Sequence, residues 1–270
     1  MRIGSRNARA GNATMAALAL VTGLALAGCS GDDEPEAGPA DETLAAAVAA
    51  FTDAGTGDYT FQLGDDDEPM IRSEGKFGVA DSVATLDLTL TNGERSLRSE
   101  HVRVGDDVWF RTSQDSTGPA SGCWRAGRPD RASGLLGPGP AESGEGTPAP
   151  PAVAVVATAE GEEWVAKGDT VRGTADLFTV ASTLGEVVSS LELAPEQTQG
   201  RVEVTFLVDG EDVVAWRTDL VTVLRALADS GAELDPEMVR LLDGDIDIPV
   251  MAGFSQLGED VSVEPPSDLC

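Results

Sequence analysis

Alternation with a period of two governs most of this 270-residue chain. Tyr59, Phe61 and Leu63 alternate with Thr60 and Gln62, and Leu86, Leu88 and Leu90 alternate with Thr85, Asp87 and Thr89. Val202, Val204, Phe206 and Val208 form the clearest such run. Successive side chains of a strand point to opposite faces, so these runs predict strands with one apolar and one polar face. Further strands are expected near 74–79, 96–104, 107–112, 164–167, 172–180, 212–217, 246–254 and 261–264, with a short one at Cys123-Trp124-Arg125. Asn92-Gly93, Gly105-Asp106, Gly168-Asp169 and Asp209-Gly210 separate runs, and such dipeptides close tight hairpins. Strands joined this way pair antiparallel, and their greasy face has to be covered.

Helical spacing supplies the cover. Leu44, Ala47, Val48 and Phe51 follow Asp41, which has the chemistry of an N-cap. Pro151 suits the first position of a helix reaching Ala159. Leu184, Val187, Val188 and Leu191 mark another amphipathic helix, as do Leu220, Val223, Leu224 and Leu227. Asp235-Pro236 opens a last one that ends before Gly244. Residues 127–150 are rich in Gly and Pro without periodicity and read as a long surface loop. The fold class is therefore α+β, an antiparallel sheet with helices packed on one face.

The N-terminus is of a different kind. Arg2, Arg6 and Arg9 precede a short apolar run from Met15, which ends in Leu26-Ala27-Gly28-Cys29. Basic flank, apolar run and small residues before a cysteine are the parts of a lipoprotein signal. The Cys29 thiol would take a diacylglyceryl group and become the first mature residue. A plain cleaved signal is the alternative. A membrane span needs about 20 apolar residues, which this run lacks. Three segments follow from this reading: a signal peptide over 1–28, an acidic disordered tether over 29–40, and a folded domain over 41–270. The protein would sit lipid-anchored on the extracytoplasmic face of the cell membrane.

The chain carries a formal charge of −29, and loss of the three N-terminal arginines makes it more negative. Such a body is repelled by phosphate backbones, so nucleic acid is not an expected partner. Of the three cysteines, lipidation of Cys29 leaves Cys123 and Cys270, which can pair in an oxidising compartment. Two reduced or intermolecular thiols are the alternative. His101 is the single histidine. It shares a strand side with Ser99 and Arg103, and a solvated or rim position is expected rather than catalysis.

Asp243, Asp245 and Asp247 alternate like the opening of a calcium loop. Ile248 then stands where glycine is needed and Phe254 where the closing glutamate belongs. Asp65-Asp66-Asp67-Glu68 reads as a solvated turn. The sequence holds no phosphate-binding glycine loop, zinc motif or nucleophile elbow, so neither a cofactor nor a metal is expected and the chain does not read as an enzyme.

Several of these features occur in one order. The Cys29 lipobox precedes a helix ending near Phe51, and Val108-Trp109-Phe110 precedes Trp124. Val171-Arg172-Gly173 leads a strand, Val204 to Val208 precedes Asp209-Gly210, and Gly258 to Pro266 closes the chain. In this the sequence resembles the actinobacterial lipoproteins of the LppX/LprAFG group, which are similar in fold to the periplasmic lipoprotein carrier LolA. The resemblance implies a curved half-barrel with helices on its concave side and a hydrophobic cavity between them. In that group the cavity holds acyl chains of lipids or lipoglycans. Phe61, Leu86, Leu88, Phe110, Val204 and Phe206 are the side chains expected to line it. The loop over 127–150 and the helical stretch over 219–243 are longer than in that group. Helices filling the cavity would give the rival reading, a lipid-anchored, non-catalytic interaction or regulatory module with a filled core.

Overall fold

The computed structural model describes residues 38–93, 95–113, 122–128, 135–136, 149–189, 191, 193, 195–244 and 246–270. The stretch read as a lipoprotein signal, Cys29 and the stretch read as a tether up to residue 37 lie outside them, as do Asp245 and most of the loop over 127–150.

Two consecutive antiparallel meanders build one open sheet. The first comprises β1 (Thr56–Leu63), β2 (Ile71–Gly78), β3 (Val83–Asn92), β4 (Arg95–Val104), β5 (Asp107–Ser113) and the two-residue β6 (Arg125–Ala126). The second comprises β7 (Glu160–Ala166), β8 (Thr170–Asp176), β9 (Arg201–Asp209), β10 (Asp212–Asp219) and β11 (Pro249–Ser255). Pairing of β1 with β11, Tyr59 opposite Phe254 and Phe61 opposite Ala252, joins them into the order β6-β5-β4-β3-β2-β1-β11-β10-β9-β8-β7. Gly93 and Gly210 close their hairpins at φ of 59° and 64°, a region that favours glycine.

Helices sit in the connections. They are α1 (Ala40–Ala54), α2 (Pro151–Ala157), α3 (Leu177–Thr183), α4 (Glu186–Ser189), α5 (Leu220–Asp229) and α6 (Pro236–Asp243), with a 3₁₀ turn at Pro195–Thr198. Phe51 of α1 packs on Phe77 and Phe254, with ring centroids 6.0 and 4.9 Å apart. Val223, Leu224 and Leu227 of α5 are fully buried in the same core as Phe206 and Trp216. Asp176, Asp219 and Asp235 accept hydrogen bonds from the first backbone N–H groups of α3, α5 and α6.

The polar face carries ion pairs instead of helices. Arg98 bonds Asp87, Arg111 bonds Glu100, Lys76 bonds Asp58 at 2.6 Å, and Arg172 bonds Glu163. Pairs this exposed are each worth well under about 1 kcal/mol. Their use is to keep this face wet, which fixes the register, because a one-residue slip would bury them.

Several expectations need correction. The first helix begins at Ala40 after Pro39, so Asp41 lies in its first turn and is not its cap. The strand expected over 172–180 stops at Asp176, where that side chain caps α3. The helix expected from Leu184 to Leu191 is broken, with α3 and α4 meeting at a turn where Gly185 has φ of 51°. No strand forms over 261–264. Alternation there meets no open edge, because β11 already pairs with β1 and β10. The chain instead runs on to Trp124, which exchanges backbone hydrogen bonds of 2.9 Å with Asp268 and Cys270. The sulfurs of Cys123 and Cys270 are 2.08 Å apart, a disulfide pairing that fastens the C-terminus beside β6.

Candidate functional site

The helices do not cover the sheet evenly. Over β8 to β10 the interior is packed, with Val204, Phe206 and Trp216 at most 1% exposed. The Trp216 indole donates to the Ala152 carbonyl of α2 at 2.8 Å and its ring lies 6.3 Å from that of Phe61. Over β1 to β3 a cavity of about 820 Å³ remains.

The sequence of β2 explains why. Its inner-face positions run Ile71, Ser73, Gly75 and Phe77, opposite Leu63, Phe61, Tyr59 and Gly57. Large residues on β1 and β3 thus stand either side of small ones on β2. Tyr59 fills the space over Gly75: a Cβ there would stand 2.9 Å from its ring and 1.9 Å from the Thr85 carbonyl. The Tyr59 hydroxyl crosses β2 to donate to that carbonyl at 3.2 Å, and burial raises its pKa well above the ordinary value. Among the described residues none fills the space over Ser73, which lines the cavity.

Phe61, Leu86, Leu88, Leu90 and Ile71 form the floor and walls of the cavity. Its roof is Leu135, Pro150 to Ala152, the inner side of α3, the Leu184-Gly185 turn and Val188. None of the described lining residues is charged. Phe178, 59% exposed on α3, stands at the opening to solvent.

Of the side chains expected to line a cavity, Phe61, Leu86 and Leu88 come together here. Val204 and Phe206 lie in the packed half, where α3 and α5 cover β9. Phe110 is on β5, stacked on His101 with ring centroids 6.2 Å apart. Ser73 and Ala181 were not anticipated. The two small residues in a row on the inner face of β2, Ser73 and Gly75, are the signal that points to Ser73; no β2 pattern points to Ala181, which lies on α3.

Of the two positions expected for His101, solvated or at a rim, the structure gives a partly covered one. Leu86 pairs with His101 and Leu88 with Ser99, so β4 turns these polar residues toward the covered face. Ser99 and Arg103 are buried, and His101 is half-buried between them. The Ser99 hydroxyl and His101 Nε2 are 2.6 Å apart, and burial pushes the imidazole pKa down to about 4. The folded protein therefore holds His101 neutral while the unfolded chain takes up a proton below about pH 6.5. Stability is fully present above that pH and falls as pH drops toward 4, by about 3 kcal/mol in total. The difference between wild type and His101→Gln in urea unfolding across this window should isolate that loss. A difference independent of pH would refute it.

Two other polar places gather ionisable side chains. A groove of about 580 Å³ on the wet face holds Asp58, Glu74, Lys76, Asp87, Glu100 and Trp124. Asp58, Asp87 and Glu100 are ion-paired there, and Arg111 lies over the Trp124 ring at 4.7 Å. Asp219, next to Asp247, caps α5 and also accepts from Ile248 N at 2.7 Å. Burial and the bond with Asp247 raise the Asp219 pKa. Among the described residues no group of three or more His, Cys, Asp or Glu could hold a metal ion, and no helix is long and apolar enough to cross a membrane. Neither a protein-family model nor a curated protein matches this chain.

Proposed function

We propose that this chain is an exported lipoprotein, anchored through Cys29, that holds lipid acyl chains in the cavity over β1 to β3 and carries or presents them in the cell envelope. The observation that carries the reading is the cavity itself. Its volume lies within the roughly 300–1,000 Å³ usual for ligand sites, and its described lining is uncharged. Each methylene moved from water into such surroundings contributes about 0.8 kcal/mol, so a partly buried chain can be held. In this reading the sheet is the half-barrel of the LolA-like lipoproteins. The α3–α4 turn at Gly185 is the place where the roof opens for exchange, with Phe178 at the threshold. The packed half under α5 favours the rival module only if the cavity stays empty in cells.

Native mass spectrometry of the full chain extracted from the membranes of an expression host separates the two. The expected spectrum has a diacylglyceryl mass at Cys29, lost in Cys29→Ser, and a second, non-covalent lipid adduct. A protein that leaves the membrane with no such adduct would rule out the carrier. An unmodified Cys29 would rule out the anchor.

A further inference from the structure

The exposed apolar side chains are not spread evenly. Among the described residues seven large ones are exposed, and Met70, Leu97, Phe178 and Ile246 gather at one end of the sheet. This is the end where β1, β3, β8 and β10 finish and β2, β4, β7 and β11 start. The other three stand singly on β7, α6 and the C-terminal tail. Met70 leads into Ile71, Leu97 pairs with Leu90, and Phe178 follows the Asp176 cap, so three of the four rim the mouth of the cavity. Single apolar side chains on a surface are ordinary, whereas a grouped set marks a contact. The far end of the sheet is made of hairpins with Asp81, Asp106, Asp169, Asp209 and Glu211 exposed.

The path of the chain indicates what covers this end. The fold starts here: the Gly38 carbonyl accepts from the Trp164 indole of β7 at 3.0 Å, and Ala40 lies against Gly161 at the start of that strand. Glu160 pairs with Thr174 of β8, two residues before the Asp176 cap, so Phe178 leaves the neighbouring strand at the same end. Nine residue steps separate Cys29 from Gly38, and a chain of that length spans about 30 Å when fully extended. We infer that the rim docks on the bilayer that holds the Cys29 anchor, with Met70, Leu97 and Phe178 entering the headgroup boundary. The inference rests on the lipoprotein reading above and adds the orientation of the body, with the cavity mouth against the membrane and the acidic hairpins in water. Three partly exposed side chains bind a bilayer weakly by themselves, but a short covalent link raises their effective concentration enough to make a weak contact persist. Asp65 to Glu68 are exposed just before Met70, so a bilayer of low negative charge suits this end best.

The test places one bimane label on the full acylated chain in phosphatidylcholine vesicles, with and without lipids carrying a doxyl quencher on an acyl chain. With Cys29 acylated and Cys123 joined to Cys270, an introduced cysteine is the single free thiol. Labels at Phe178→Cys and Met70→Cys should lose most of their emission to the doxyl lipid, and one at Glu211→Cys, on a far hairpin, should lose little. Phe178→Ser/Leu97→Ser, at exposed positions and checked for folding by circular dichroism, should sharply reduce the loss at position 70. An unchanged loss there overturns the part given to these side chains. Equal loss at all three labels, or none at 178 and 70 in protein that floats with the vesicles, overturns the docking and leaves the anchor standing; the rim would then belong to a protein partner. Protein that does not float with the vesicles overturns both.

Discussion

Replacing Trp216 by alanine is expected to lower the unfolding free energy by about 3–5 kcal/mol, the usual loss for emptying a large aromatic site. Trp216 is fully buried on β10, with Phe206 and Ala252 beside it in the sheet and Phe61 against its ring. It also holds α2 through the 2.8 Å bond to Ala152. Two effects can be separated. Trp216→Phe keeps most of the apolar contact and removes the indole donor, so it should lose mainly the hydrogen bond, about 1 kcal/mol, and a smaller part for the volume. Because Pro151 and Ala152 of α2 roof the cavity, the proposed acyl-chain binding predicts that both variants lose lipid occupancy relative to wild type. Equilibrium urea unfolding followed by circular dichroism gives the free energies. A loss below about 1 kcal/mol for the alanine variant would mean that α2 is not packed as described.

The second large effect is expected at the C-terminus. Cys123 and Cys270 are 147 residues apart in sequence, and a link closing so long a loop restricts the unfolded chain strongly. The chain-entropy argument gives about 5 kcal/mol as an upper figure, and natural disulfides commonly contribute about 2–5. Cys123→Ser/Cys270→Ser should therefore unfold at lower urea concentration, and wild type under reductant should move to the same midpoint. The local consequence is release of the tail that bridges Leu269 to Trp124, seen as faster amide exchange at Trp124 and Cys270. Two titratable thiols in the native oxidised protein, or a midpoint indifferent to reductant, would show that the pair is not formed.

Much of the sheet could be read directly, for a definite reason. β1, β3 and β9 each bury one face and wet the other, so hydrophobic alternation carries their whole structural signal. Where that condition fails, sequence misleads. Thr170 to Val180 alternates well beyond its strand, but Leu177, Val180, Ala181 and Leu184 also fall at helical spacing. The Asp176 cap decides between the two periods. Val261-Ser262-Val263 alternates yet has no neighbour to pair with. Ser99, His101 and Arg103 look like a wet strand face, because polarity alone does not reveal which side of β4 the helices cover.

The amino-acid sequence by itself determined the antiparallel hairpins, most of the helices between them, the acidic character and the number of cysteines. Each of these depends on local periodicity, turn chemistry or counting. Tertiary structure alone decided which meander neighbours which, through the β1–β11 pairing, and where the interior is full and where it is hollow. A cavity is a mismatch of volumes between residues far apart in the chain. Ser73 stands between Phe61 and Leu88 on neighbouring strands, and the cavity over it is roofed by α3 residues more than a hundred positions further along the chain.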